Sequence, residues 1–199
     1  MSASYLNPRY LRVIMDNFIL APHSKELEQA SQELGFHKTL FLEKDFQIFK
    51  GENKKDLTLA FQRAVSRKQF SFYLPQTEEM LRFVLERTAC TGILRVEQIH
   101  SNDHLHYIRG GLDQVVCKIA AQKGKIVVFS FSDLLSSPHQ AQTLGRMIFN
   151  IQLCQKYKVT TLFSTFARQK MELRAPHDLA AVWRVLAGEK SALSLPQDL

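Results

Sequence analysis

The feature that most constrains this chain is an alternation. Short apolar runs recur between stretches whose apolar residues fall at helical spacing. Val13 to Leu20, Thr39 to Leu42, Phe46 to Phe49, Phe70 to Leu74, Gly92 to Val96, Lys125 to Phe131 and Thr160 to Ser164 read as strands. Between them Ser24 caps a helix with Leu27, Ala30 and Leu34 on one face, and Gly35 stops it. Asn53 caps a helix to about Arg67 with Leu57, Phe61, Ala64 and Val65 inward. Thr77 opens one lined by Leu81, Val84, Leu85 and Thr88. Further helices are expected over Leu112 to Gln122 and Gln140 to Tyr157, the latter carrying Leu144, Met147, Ile148, Ile151 and Cys154. Pro176 begins a last helix with Leu179, Val182, Trp183 and Leu186.

Strands alternating with helices predict an α/β protein with a parallel sheet, as a single domain over residues 1–199. The pattern leaves open whether the sheet is flat or closed. A full (β/α)₈ barrel takes about 250 residues, so a barrel of 199 is a compact one.

No apolar run approaches the roughly 20 residues of a membrane span, and Met1 to Arg12 lacks the apolar centre of a signal peptide. Cys90, Cys117 and Cys154 form no C-x-x-C pair. They read as buried thiols of a cytoplasmic protein. The net charge of +7 is unevenly placed: residues 109–199 carry 12 Lys and Arg against 6 Asp and Glu, whereas residues 1–108 carry 14 against 13. A basic half suits phosphate binding, because Lys and Arg displace counterions condensed on nucleic acid.

Enzyme motifs are scarce. The chain has no G-x-G-x-x-G after its first strand, no G-x-x-x-x-G-K-[ST] and no G-x-S-x-G. Gly110-Gly111 reads as a turn. His100, His104 and His106 could offer nitrogens to a metal, but a polar loop from Gln98 to Tyr107 explains them as well, and a catalytic zinc wants three ligands with a held surround. Asp16 falls at the end of the first strand, where barrel enzymes often place catalytic groups. A carboxylate bonded to nearby backbone is the plainer role.

The C-terminal third is richer. Arg146 and Asn150 lie four apart on one helix face, and Lys156 and Lys158 close that helix. Arg168, Lys170 and Arg174 then crowd one short connection after a strand, at the end of a parallel sheet where α/β folds carry their sites. Such guanidinium groups can clamp phosphates, or the loop is simply solvated with Asp178 pairing an arginine.

Three motifs in order carry a family resemblance. The helix and turn Gly145-Arg146-Met147-Ile148-Phe149-Asn150-Ile151-Gln152-Leu153-Cys154-Gln155-Lys156-Tyr157-Lys158-Val159 resembles that of archaeal ribonuclease P protein component 3, the family of the eukaryotic thirty-kilodalton subunit. Phe129-Ser130-Phe131-Ser132-Asp133-Leu134-Leu135, read as a strand, is similar to its signature. So are Ser164-Thr165-Phe166-Ala167 and Glu172-Leu173-Arg174-Ala175-Pro176-His177-Asp178-Leu179. The resemblance runs from about Lys125 to Gly188.

It implies a compact TIM-barrel-like fold and a noncatalytic subunit of a ribonucleoprotein that removes 5′ leaders from precursor tRNA. The implied partners are ribonuclease P RNA, protein component 2 and the other subunits. Mg²⁺ is implied on the RNA, with no cofactor on the protein and no catalytic residue.

Under that reading Arg146, Asn150, Lys156, Lys158, Arg168, Lys170 and Arg174 are expected RNA contacts, and Asp178 is structural. The family is distantly related to PHP-class phosphoesterases, whose first strand ends in H-x-H. Here it reads Val13-Ile14-Met15-Asp16-Asn17. A metal-dependent phosphoesterase using Asp16 with the histidines, and a basic scaffold for an acidic protein, are the rival readings. After Gly188 little chain remains, so an eighth strand would be short, at Ala192 to Leu195, and closure of the barrel stays open.

Overall fold

The computed structural model describes residues 13–188 apart from 15. The expected strand at Ala192 to Leu195 and the segment Met1 to Arg12 lie outside the described residues. In chain order the elements are β1 (Val13–Ile14), β2 (Asn17–Ile19), α1 (Lys25–Glu33), β3 (Thr39–Phe41), β4 (Phe46–Lys50), α2 (Lys54–Ser66), β5 (Phe70–Leu74) and α3 (Glu78–Arg87). They continue with β6 (Gly92–Leu94), α4 (Gln114–Gln122), β7 (Ile126–Ser130), α5 (Phe131–Ser136), α6 (Gln140–Tyr157), β8 (Thr160–Ser164) and α7 (Pro176–Ala187).

Local chemistry sets many of these limits. The Asn53 side chain accepts from the N–H groups of Lys55 and Asp56, Thr77 accepts from Met80, and Asp113 accepts from Val116. Pro176 opens α7, and Gly188 ends it with a φ of +66° that favours glycine. The expectations need correction at Val65 and after β7. Val65 is exposed rather than inward. The run Phe129 to Leu135 is not one strand, because β7 stops at Ser130, whose hydroxyl accepts from the Asp133 N–H and starts α5.

Among the described residues every pairing between these strands is parallel. One sheet has the order β1-β8-β7-β6-β5-β4, and β2 pairs with β3. The first strand thus divides near Asp16: β1 lies along β8, while β2 turns to β3. Single bridges join the two sheets, Ile19 to Ala167 and Leu42 to Phe46. The strands therefore curl into a barrel-like arrangement whose seams are bridges rather than ladders.

Side chains alternate across each strand. Phe18, Leu40, Phe46, Phe72, Leu94, Val128 and Leu162, one from each of β2 to β8, meet Phe166 in one buried cluster. Phe18 packs on Phe46, Phe72 and Phe166 with centroids 5.2, 5.7 and 5.5 Å away. This aromatic filling is the interior that the strands surround. The outward-facing set, including Tyr73, Ile93, Val127, Phe129 and Phe163, packs under the helices with Phe61, Leu81, Met147 and Trp183. Among the described residues no helix is long and apolar enough to cross a membrane.

Candidate nucleic-acid interface

At the carboxyl ends of β6, β7 and β8 one buried carboxylate organises two arginines. Arg95 follows β6 in the left-handed region with a φ of +60°. That turn aims its guanidinium at Asp133, where Nε and Nη2 reach the two carboxylate oxygens at 2.6 Å each. From the far side Arg168 Nη2 reaches Oδ1 of Asp133 at 3.1 Å. Asp133 is buried, so its charge is spent on these two partners. Arg168 remains 44% exposed and has guanidinium hydrogens to spare.

The connection that follows gathers three expected contacts. Its backbone is held by the Arg168 N–H, which donates to Glu172 Oε2 at 2.8 Å. Arg174 donates to the carbonyls of Met171 and Leu173 and lies 5.9 Å from the Phe131 ring centre. Lys170 is exposed and has no ion-pair partner among the described residues. Arg168, Lys170 and Arg174 therefore form one basic edge. Lys156 and Lys158 do not join it: they precede β8, at its opposite end. Asp178 is exposed in the first turn of α7, 3.0 Å from His177 Nε2, and does not pair with Arg174.

Arg146 and Asn150 correct the expectation of RNA contact. Both are buried, on the same stripe of α6 as Thr143, Met147, Ile151 and Cys154. Arg146 Nε donates to Asp103 Oδ1 at 2.8 Å, and Nη1 donates to the carbonyls of Glu97 (3.0 Å) and His100 (2.5 Å). Asn150 Nδ2 donates to the Gly110 carbonyl at 2.7 Å. A Cβ on Gly110 would come within 2.5 Å of Asn150 Oδ1, so the glycine permits this approach. These side chains hold the long 97–110 segment on α6, and they present nothing to an external phosphate.

Glu97 carries no motif that would single it out in the sequence. It is buried on a short 3₁₀ turn over Val96–Gln98, and neither carboxylate oxygen has a hydrogen-bond partner. Burial pushes its pKa up to about 7, and Asp133 adds to the rise while Arg95 and Arg146 oppose it. Asp103 goes the other way. Burial raises it, but hydrogen bonds from the Arg109 N–H, Gln142 and Arg146 prevail and hold it below the usual carboxylate range.

The histidines are dispersed in role. His100 Nε2 lies 2.8 Å from Glu78 Oε1, beside a groove of about 730 Å³ that also takes in Tyr107, Ile108 and Phe149. His104 stacks on Tyr107 at 4.5 Å. Asp16 is 3.8 Å from Lys38. Among the described residues no three His, Cys, Asp or Glu side chains gather as metal ligands would. The exposed Arg168 and Lys170 side chains can each bind an anionic oxygen.

No family model matches the chain. Ribonuclease P protein component 3 of Thermococcus kodakarensis is 35% identical over 74 residues, which is 36% of this chain and 34% of that protein. The matched segment thus spans about a third of the relative's length. A protein chain in the cryo-EM structure of archaeal ribonuclease P with mature tRNA superposes with a TM-score of 0.64. It is 19% identical, and the match covers 88% of this chain and 73% of that one. Over those 74 residues the chain is similar in sequence to ribonuclease P protein component 3, and over most of its length it has the fold of a protein chain of archaeal ribonuclease P.

Proposed function

We propose that this protein is a subunit of a ribonuclease P that supports a catalytic RNA in removing 5′ leaders from precursor tRNA. The observation that carries the reading is the match to a chain of archaeal ribonuclease P over 88% of the length, joined to the independent sequence match with component 3. In this reading Mg²⁺ on the RNA supplies the hydrolytic chemistry, and the protein contributes fixed positive charge and shape. Its partners are the ribonuclease P RNA, protein component 2 and the other subunits, with precursor tRNA as substrate. Arg168, Lys170 and Arg174 contact RNA from one edge, and Lys156 and Lys158 from the other end of β8.

The rival phosphoesterase reading has less support, because Asp16 pairs with Lys38 and the His100 to His106 segment brings no third ligand among the described residues. The test is cleavage of a precursor tRNA at limiting Mg²⁺ by the cognate RNA and protein component 2, with and without this chain. Activity that requires all three supports the subunit role. Cleavage by the protein alone, or no effect of adding it, overturns that role. Within the active assembly, replacing Arg168, Lys170 and Arg174 together by Ala should flatten the salt dependence, by about 0.9 in log–log slope for each phosphate no longer neutralised.

A further inference from the structure

The helices of this fold all run back from the carboxyl ends of the strands, so α3, α4 and α6 end side by side below the start of β7 and β8. The register supports the neighbourhood, since Ile126 of β7 pairs with Thr160 of β8. Among the described residues α4 and α6 bring only cations to this end. α4 (9 residues) and α6 (18 residues) pack together and contain no Asp or Glu at all. Lys118 of α4 and Lys156 of α6 reach the same ring, with their Nζ atoms 5.9 and 5.6 Å from the centre of Tyr157. Lys123 caps α4 and Lys158 caps α6, and both are exposed. Arg87, in the last turn of α3, is exposed, and the adjacent Glu86 pairs with Arg82 at 2.9 Å.

Cations at helix C-termini stabilise the helix dipole, and that accounts for part of this pattern. It does not account for Lys118, which lies before the last turn of α4, where no basic residue falls. Nor does it explain two adjacent helices without a single acid, since ordinary soluble surfaces intersperse both signs.

We propose that this α4/α6 face, centred on Tyr157 with Lys118, Lys123, Lys156 and Lys158, is a second docking surface for RNA, at the opposite end of the barrel from Arg168 and Arg174. The proposal rests on the ribonuclease P reading above. Lysines are mobile point charges without a bidentate fork, so the surface binds phosphodiester backbone irrespective of sequence. Tyr157, partly exposed, holds the Lys118 and Lys156 ammonium groups over its ring and so keeps the two charges together. The cluster is cationic and the ribonuclease P reading supplies a polyanionic partner, so RNA is the occupant proposed, and an acidic protein is the alternative outcome of the test.

The test uses the full chain with protein component 2 and labelled cognate ribonuclease P RNA, titrated over a series of salt concentrations, with polyglutamate as competitor. Lys118→Gln with Lys156→Gln is expected to lower affinity roughly tenfold at moderate salt and to reduce the log–log salt slope by about 2. Replacing both by Arg should retain most of the binding. A Lys118→Gln, Lys123→Gln pair gives an independent check should the first pair unfold. A slope unchanged in both pairs overturns the proposal while leaving the subunit reading intact. Displacement of the RNA by polyglutamate at matched charge overturns it in favour of an acidic protein partner. Failure of the unaltered chain to bind the RNA at low salt brings down the subunit reading itself, and this surface with it.

Discussion

Arg146 of α6 donates from Nε to Oδ1 of Asp103 at 2.8 Å across 43 residues of sequence, and its Nη1 takes two backbone carbonyls of the same segment. One side chain therefore fixes both ends of the 97–103 stretch. Replacing it with Met keeps the apolar stem but strips two carbonyls of their side-chain donor and removes the cation beside Asp103, which keeps its bonds from the Arg109 N–H and Gln142. The expected loss is about 2–3 kcal/mol, toward the low end for a buried pair because Asp103 is 28% exposed. Lys should rescue little, since a single ammonium cannot span all three acceptors. Urea midpoints measure the loss, and amide exchange should accelerate across residues 97–110. Unchanged exchange there would contradict the clamp.

Much of the framework was legible because periodicity and caps agree: Asn53, Thr77 and Pro176 each stand where a helix begins. The break near Asp16 was not, because an apolar run does not record a change of pairing partner. The start of α5 was hidden for a related reason: Phe129, Ser130, Phe131 and Ser132 keep the apolar–polar alternation of a strand across the point where β7 ends. The misplaced site residues share one cause. Sequence pattern reads polarity as exposure, whereas Arg146 and Asn150 are buried, and so is Glu97, to which the sequence assigned no role; their burial depends on neighbours far off in the chain. The legible signal for Arg146 was its place on the same helical stripe as Met147, Asn150, Ile151 and Cys154.

Glu97 should make stability depend on pH. Its pKa rises from 4.5 to about 7 on folding, so the native state holds a proton that the unfolded chain releases. This contribution is fully present below pH 4.5 and is lost as pH rises through about 7, where the buried carboxylate must ionise. Glu97→Gln removes the titration. It should make the protein more stable than the parent at pH 8, by up to about 3 kcal/mol, and nearly equal to it at pH 4. Denaturant midpoints of both proteins between pH 4 and 8 measure this, and parallel curves would exclude Glu97 as the source.

The two arginines on Asp133 are not equivalent. Arg95 makes two bonds of 2.6 Å from a side chain 23% exposed, whereas Arg168 makes one of 3.1 Å and is 44% exposed. Double-mutant cycles should give a coupling of about 2 kcal/mol for Arg95 with Asp133 and less than about 1 kcal/mol for Arg168 with Asp133. The weak second coupling leaves Arg168 free to exchange a carboxylate oxygen for a phosphate oxygen. Equal couplings would tie Arg168 to the framework and remove it from the proposed RNA-binding edge.

The interior of the curled sheet can be probed through Phe18, which is 2% exposed and packs against Phe46, Phe72 and Phe166. Ala at this position opens a cavity among residues drawn from all of β3 to β8, and rigid strands on every side cannot close over it. The expected cost is about 3–5 kcal/mol. Leu should recover most of it by restoring volume without the edge-to-face contacts. Val65→Ala, on the exposed face of α2, should change stability by less than about 0.5 kcal/mol. Thermal unfolding of the three variants separates the cases. If Phe18→Ala cost no more than Val65→Ala, the strands would not enclose a common core, and the seams at Ile19–Ala167 and Leu42–Phe46 would have no packing behind them.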